Sequence, residues 1–526
     1  MTNPRSHVSR RGAAFLLALI VASLGAAGGP SAWAQHRDRP APSAAPAVNG
    51  AAAHAASAPS ERKLPADTTT DQTIELPGRS LHFRATAGSI PLNNADDGAL
   101  LAEVAYVAYV VPGDVPRPVT FVFNGGPGAA SAYLDLGAVG PWRLPLAHFS
   151  ISEPPRLIAN AETWLDFTDL VFIDPPGTGY SRIAASGDEG RGRFWSVDGD
   201  AESLAVFIRK WIEQAGRQQS VKFIAGESYG GFRAPKVAHL LKDQGVGIRG
   251  LVMISPVIDF ANLGEPRHVP MAWVNHLPSM AAAALDAKGQ YSREALRDVE
   301  HYAAGDYLLD LIKGERDAAA VARISARVAA FTGLDPALVQ KLAGRVDTAT
   351  FQRELHRAQG LIGSAYDPNV TAYDPNPTSP TSHYSDPVLG GTRAPITTAM
   401  TDLYEHVLNW RVDRPYELLN EDVGSHWNWG NRQARPQVVD DLRGDLADDA
   451  QVRVLVVHGA NDLVAPYFAD QLLLDQLPIY GSADRLKLAV YPGGHMFYDR
   501  DVSRRALHDD AAALVAAATK TVPKGE

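Results

Sequence analysis

The chain has 526 residues, no cysteine and a formal net charge of −10. That length can bury a large core, best arranged as one big domain carrying an insertion rather than as several independent modules. The acidic balance and the lack of a basic stripe with interleaved aromatics argue against nucleic-acid binding, and the missing cysteines exclude disulfides, thiolate metal sites and Cys-linked lipid anchors.

Residues 1–34 have the form of a secretory signal peptide. Arg5, Arg10 and Arg11 precede the apolar run Ala13–Ala27, followed by Gly28, Gly29, Pro30 and an Ala32-Trp33-Ala34 cleavage pattern. The run falls short of the ~20 residues that a membrane span needs. Cleavage near Ala34–Gln35 is therefore expected, giving a secreted or periplasmic chain with no stable membrane anchor. Arg10-Arg11 also raises a twin-arginine route, which Gly12-Ala13-Ala14 does not support. Residues 35–70, rich in Ala, Pro and Ser, read as a disordered linker.

From residue 71 to 259 the pattern is that of the first part of an α/β core. Arg79–Ala85 and Ala99–Val111 read as antiparallel edge strands. A strand–helix rhythm follows, with strands at Val119–Phe123, Leu170–Ile173, Val221–Ala225 and Gly250–Ile254. A helix is expected over Val197–Gln214, where Leu204, Phe207, Ile208 and Trp211 recur at helical spacing. Short, almost continuous apolar strands suit a mostly parallel sheet covered on both faces. The rhythm resumes over 451–526 with strands Val452–His458 and Leu486–Tyr491 and a helix Val502–Ala518. The block 260–450 shows no strand pairs. It reads as a large, mainly helical cap, with helices over Ser292–Ala304, Ala318–Thr332, Pro336–Ala343 and Ala399–Trp410. Within it Asp367-Pro368-Asn369 echoes Asp374-Pro375-Asn376. Calcium ligation is conceivable there, but Asp and Asn beside Pro favour plain turns.

The chemistry centres on Gly226-Glu227-Ser228-Tyr229-Gly230, a G-x-S-x-G elbow between an apolar strand and the helical pattern Phe232–Leu241. A sharp strand-to-helix turn raises the serine hydroxyl at the carboxyl end of the sheet, and only glycine fits on either side of so tight a turn. A serine nucleophile needs a base, and the base an orienting acid. In this fold class the chain order is Ser, acid, His. Two late strands run into Gly-containing loops, His458-Gly-Ala-Asn-Asp462 and Tyr491-Pro-Gly-Gly-His495. Asp462 would orient His495, and His495 would take the Ser228 proton. Asp259 and Asp174 are rival acids, Asn461 could take over the turn role beside Asp462, and His458 is a rival base that precedes the acid. The oxyanion of a tetrahedral intermediate needs fixed N–H donors. The amide of Tyr229 is one, and the loop Asn124-Gly125-Gly126-Pro127-Gly128 supplies the other.

Asn124–Gly128 (NGGPG), Asp174–Ser181 (DPPGTGYS), Gly226–Gly230 (GESYG) and Gly494-His495-Met496 together resemble the serine carboxypeptidase family, from about Val119 to Arg500. The resemblance implies an α/β-hydrolase fold, a Ser228–Asp462–His495 triad and an oxyanion hole at Gly126 and Tyr229. It also implies removal of single residues from peptides with a free C-terminal carboxylate. In the family that carboxylate is held by residues matching Asn124, Gly125 and Glu227. A glutamate can do this if protonated, because it then donates a hydrogen bond. An acidic optimum is therefore expected. The family's usual second glutamate falls on or near Ala138, and its usual cysteine after NGGPG is Ala129, which fits a bacterial-type branch.

No cofactor and no metal is implied, since HExxH and paired His/carboxylate spacings are absent. A monomer or homodimer is expected. An acyltransferase or esterase on the same scaffold shares the acyl-enzyme and is the alternative. Arg143 and Arg233 lie near the site loops, and His426–Trp429 could wall a pocket or simply pack.

Overall fold

The computed structural model describes residues 63–146, 152–184, 187–263, 269–430 and 435–520. The expected signal peptide and most of the expected linker lie outside these residues.

The central sheet is built from β1 (Thr68–Leu76), β2 (Arg79–Asn93), β3 (Leu100–Val110), β4 (Val119–Phe123), β5 (Asp169–Ile173), β6 (Lys222–Glu227), β7 (Gly250–Ile254), β8 (Arg453–Gly459) and β9 (Leu486–Tyr491). Their spatial order is 1-2-3-5-4-6-7-8-9, with the short strand Arg182–Ile183 pairing on β3. The pairs β1–β2, β2–β3 and β3–β5 are antiparallel. From β5 onward every pair is parallel. Helices Val197–Gln214, Tyr229–Asp243 and Asp501–Thr519 flank the sheet. Two buried apolar clusters cover its faces, one containing Val122, Phe172, Val252 and Leu514, the other Phe121, Ile173, Met253 and Trp211. Because neighbouring side chains alternate across a strand, both faces of β4, β5 and β7 are apolar and these strands are buried throughout.

Helix Val197–Gln214 and strands Val119–Phe123, Gly250–Ile254 and Leu486–Tyr491 have the bounds expected from periodicity. Three regions differ. The end of the expected linker is ordered: Leu64 is buried, the Lys63 and Leu64 amides donate to Glu103, and β1 begins at Thr68. Strand β2 runs past Ala85, where the expected strand ended, through Pro91 to Asn93. Pairing with β1 ends at Ala87, so the missing N–H of Pro91 breaks no ladder bond to β1.

The segment between β7 and β8 also differs from an all-helical block. Leu361–Gly363 and Thr371–Tyr373 pair as an antiparallel hairpin too short to show periodicity. A helix absent from the sequence reading, Pro270–Asp286, is interrupted in pattern by Pro278 and buried on most of its surface. With Ala318–Thr332 it forms a third apolar cluster that packs on Tyr467 and Phe468 of the sheet domain.

Candidate active site

Ser228 stands where β6 ends and helix Tyr229–Asp243 begins, with φ 59° and ψ −124°. A non-glycine residue in that region costs about 1–3 kcal/mol and persists only where its surroundings fix it. Here the Ser228 amide donates to Ile254 O at 2.8 Å, and its carbonyl accepts from Gly231 and Phe232. The next amide, that of Tyr229, opens the helix and so has no partner within it, while the helix dipole adds positive potential at that end. Gly125 comes so close that a Cβ there would lie 2.5 Å from Tyr229 N. The NGGPG loop therefore packs against the helix start beside Ser228, where backbone N–H groups can meet an oxyanion.

Asp462 and His495 lie on the loops that follow β8 and β9. His495 Nδ1 is 2.6 Å from Asp462 Oδ2, and Asp462 Oδ1 accepts from the amides of Val464 and Ala465 at 2.8 and 2.9 Å. Both residues are buried, 3% and 0% exposed. With Nδ1 engaged, the ring turns Nε2 away from Asp462. Ser228 and His495 line one cavity together with Asn124, Gly125, Gly126 and Glu227. Among the described residues no hydrogen bond joins Ser228 Oγ to the imidazole; such contacts commonly tighten only when substrate binds. The rivals are engaged elsewhere: Asp259 accepts from Ala261 N, Asp174 from Ser131 N, and His458 pairs with Asp470.

Glu227 is 3% exposed. Burial pushes its pKa up to about 7, against the opposing pull of His495 and of hydrogen bonds from Tyr498 and Asn124. Tyr498 OH reaches both carboxyl oxygens, at 2.9 and 3.1 Å, and Asn124 Nδ2 donates to Oε2. Asn124 is itself held, its Oδ1 accepting from Leu134 N at 3.0 Å. For His495, burial disfavours the charged form, but the Asp462 carboxylate, its hydrogen bond and Glu227 outweigh this and raise the pKa.

Arg233, near the site loops in sequence, is 1% exposed. Its fork grips Asp200 at 2.5 and 3.2 Å while Nη1 donates to Asn124 O at 2.6 Å, bracing the loop from below. Arg143 lies 3.8 Å from Asp501, away from the cavity lining. Trp427 and Trp429 pack edge-on against the Tyr229 ring. Ala138 is buried in a short π-helix, Asp135–Val139, whose own carboxyl, Asp135, takes the Tyr109 hydroxyl rather than lining the cavity. Tyr498 and the Asp200–Arg233 pair carry no sequence signal, being single polar residues joined only in space. Among the described residues no group of three His, Cys, Asp or Glu is set to hold a metal ion, and no helix is long and apolar enough to cross a membrane.

A mostly parallel sheet flanked by helices, with a strained serine at the end of its central strand, defines an α/β-hydrolase fold. The prohormone-processing carboxypeptidase of Saccharomyces cerevisiae shares this fold, with a TM-score of 0.53 at 17% identity over 82% of this chain and 91% of that one. The sequence profile of the serine carboxypeptidases matches residues 83–292 of this chain. The serine carboxypeptidase-like protein 28 of Arabidopsis thaliana is 27% identical over 45% of this chain and 49% of its own length. A pheromone-processing carboxypeptidase of Ajellomyces capsulatus is 31% identical over 32% of this chain and 25% of its own. The chain thus spans half or less of the length of these curated relatives.

Proposed function

We propose that this chain is an exported serine carboxypeptidase that hydrolyses the C-terminal peptide bond through an acyl-enzyme on Ser228. The observation that carries the reading is Glu227: a buried acid with a pKa near 7, beside the nucleophile and on the wall of its cavity. A neutral carboxyl there can donate a hydrogen bond to a substrate carboxylate, next to Asn124 and Gly125.

In this reading Ser228 Oγ attacks the scissile carbonyl and its proton passes to His495 Nε2. Asp462 keeps the other proton on Nδ1 and stabilises the imidazolium. The amides of Gly126 and Tyr229 receive the oxyanion. His495 then gives its proton to the leaving amine, the terminal amino acid departs, and water repeats the sequence to release the shortened peptide.

Two titrations frame the pH response. Above about 7 Glu227 ionises and repels the substrate carboxylate. Towards acid His495, its pKa raised, protonates and cannot act as base. The expected kcat/KM for peptide acids is therefore bell-shaped and falls as pH rises through neutrality. A steady rise from mildly acidic to alkaline pH overturns the role of Glu227.

Mass spectrometry of a mixed peptide pool tests the activity. Wild type should leave a C-terminal ladder that Ser228→Ala does not. The esterase or acyltransferase reading is favoured by one observation, Ala138 in place of a second carboxylate-binding acid. Preference for a peptide over its C-terminal amide supports the carboxypeptidase; turnover of esters alone supports the alternative. Export is tested by sequencing the N-terminus of secreted protein, where an intact Met1 overturns it.

A further inference from the structure

The hairpin segment between Leu361–Gly363 and Thr371–Tyr373 lies outside the central sheet, yet three consecutive residues of it reach the loops of the acid and the base. Ala365 O accepts from Leu463 N at 3.1 Å, beside Asp462. Tyr366 O accepts from His495 N at 2.6 Å, and the Tyr366 ring stands edge-on to the imidazole, centroids 5.2 Å apart. Asp367 Oδ2 accepts from Arg500 at 2.8 Å, and Oδ1 from Asn461 Nδ2 at 3.3 Å. Asp286 binds the same two partners, Arg500 at 3.1 and 2.8 Å and Asn461 at 2.8 Å. The approach leaves no room for a side chain, since a Cβ on Gly494 would lie 1.9 Å from Tyr366 O.

The segment is itself fixed. Asp367 Oδ1 accepts from Asn369 N at 3.0 Å, closing the turn. Asp386 accepts from Ser364 Oγ and Ala365 N at 2.7 and 3.0 Å while capping helix Pro387–Asp402. The second Asp-Pro-Asn turn has no such reach: Asp374 binds Arg353 at 3.3 Å, and Arg353 otherwise serves the carbonyls of Asn376, Ser379 and Pro380.

We propose that Ala365–Asp367 is the positioning element of the triad, with Asp367 as a positioning residue acting through Arg500 and Asn461. The proposal rests on the triad reading given above. Beyond Gly459 and Tyr491 the two loops leave the sheet, and their mutual angle sets whether the imidazole meets acid and serine together. The segment ties both loops to one rigid body, and a misplacement of about 1 Å at such a site costs roughly 100-fold in rate.

The test uses the full chain, with Asp367→Ala, Asp367→Asn and Asp374→Ala, and melting curves to give the folded fraction. The readouts are the rate of Ser228 labelling by a fluorophosphonate and kcat and KM on one peptide. Asp367→Ala should lower labelling and kcat together by roughly 10- to 100-fold while KM stays within about threefold. Asp367→Asn keeps an acceptor for Asn461 but loses its charge on Arg500, and should lose about three- to tenfold. Asp374→Ala should label like wild type. Wild-type labelling of folded Asp367→Ala, or of Asp367→Asn should the alanine variant not fold, overturns the proposal and leaves the triad reading standing. A wild-type chain that is not labelled at Ser228 at all overturns both.

Discussion

Two buried histidine–aspartate pairs stand near the carboxyl edge of this sheet, and they are built differently. His495 meets Asp462 through Nδ1 at 2.6 Å, on loops beyond the strands, with its far nitrogen turned away from the acid and the residue on the cavity wall. His458 is part of β8 itself, 0% exposed, and meets Asp470 through Nε2 at 3.1 Å. Its Nδ1 has no hydrogen-bond partner among the described residues, and His458 does not line the cavity of Ser228. Burial holds the Asp470 carboxyl above its usual range, against the pull of His458. On the proposed reading, a carboxylate beside an imidazole is thus not by itself what makes a base. The ring must be gripped by its near nitrogen and show its far one to a nucleophile.

That contrast can be broken by mutation. Ser228→Ala and His495→Ala should each lower kcat by roughly 10⁵- to 10⁶-fold and erase the C-terminal ladder, because triad members act as a unit. Asp462→Asn should cost about 10⁴-fold, through loss of the correct tautomer, with folding retained. Asp470→Asn should leave kcat almost unchanged; a comparable loss there would show that the two pairs act together.

Glu227→Gln sharpens the comparison from the side of the cavity. The folded state raises the Glu227 pKa from an ordinary 4.5 to about 7. An acid so raised favours its protonated form on folding, so wild type loses stability as pH rises from about 4.5 to 7 and stays lower above. Glutamine cannot ionise. At pH 8 the variant should be more stable by up to roughly 3 kcal/mol, and near pH 4 equal, in denaturant titrations. Its peptide pH profile should lose the alkaline fall. His458→Ala, like Asp470→Asn, should have little effect on activity: kcat within a few-fold, with a stability loss of about 2–4 kcal/mol from the cavity it leaves. Loss of Ser228 labelling in that folded variant would end the distinction drawn between the pairs.

Much of this was legible in the chain. The elbow announces itself because a strained serine between glycines demands a strand before and a helix after, and both periodicities are present around Ser228. Asp462 and His495 follow from chain order and from the glycines that end their strands. What could not be read are contacts between polar residues far apart in sequence. Tyr498 meets Glu227 across 271 positions, and Asp200 meets Arg233 from a separate helix. Neither leaves a periodic trace. Helix Pro270–Asp286 was hidden because it is apolar almost all round and carries an internal proline, which removes the amphipathic stripe. The hairpin at 361–373 was hidden by strands of three residues each.

The order of strands in the sheet has a consequence for biosynthesis. Ser228, Glu227 and the NGGPG loop all precede the end of β7, whereas Asp462 and His495 follow β8 and β9, which add to the sheet's far edge. A ribosome must therefore translate the whole segment between β7 and β8 before the proposed triad can come together. The emerging polypeptide thus carries Ser228 long before the residues proposed to activate it.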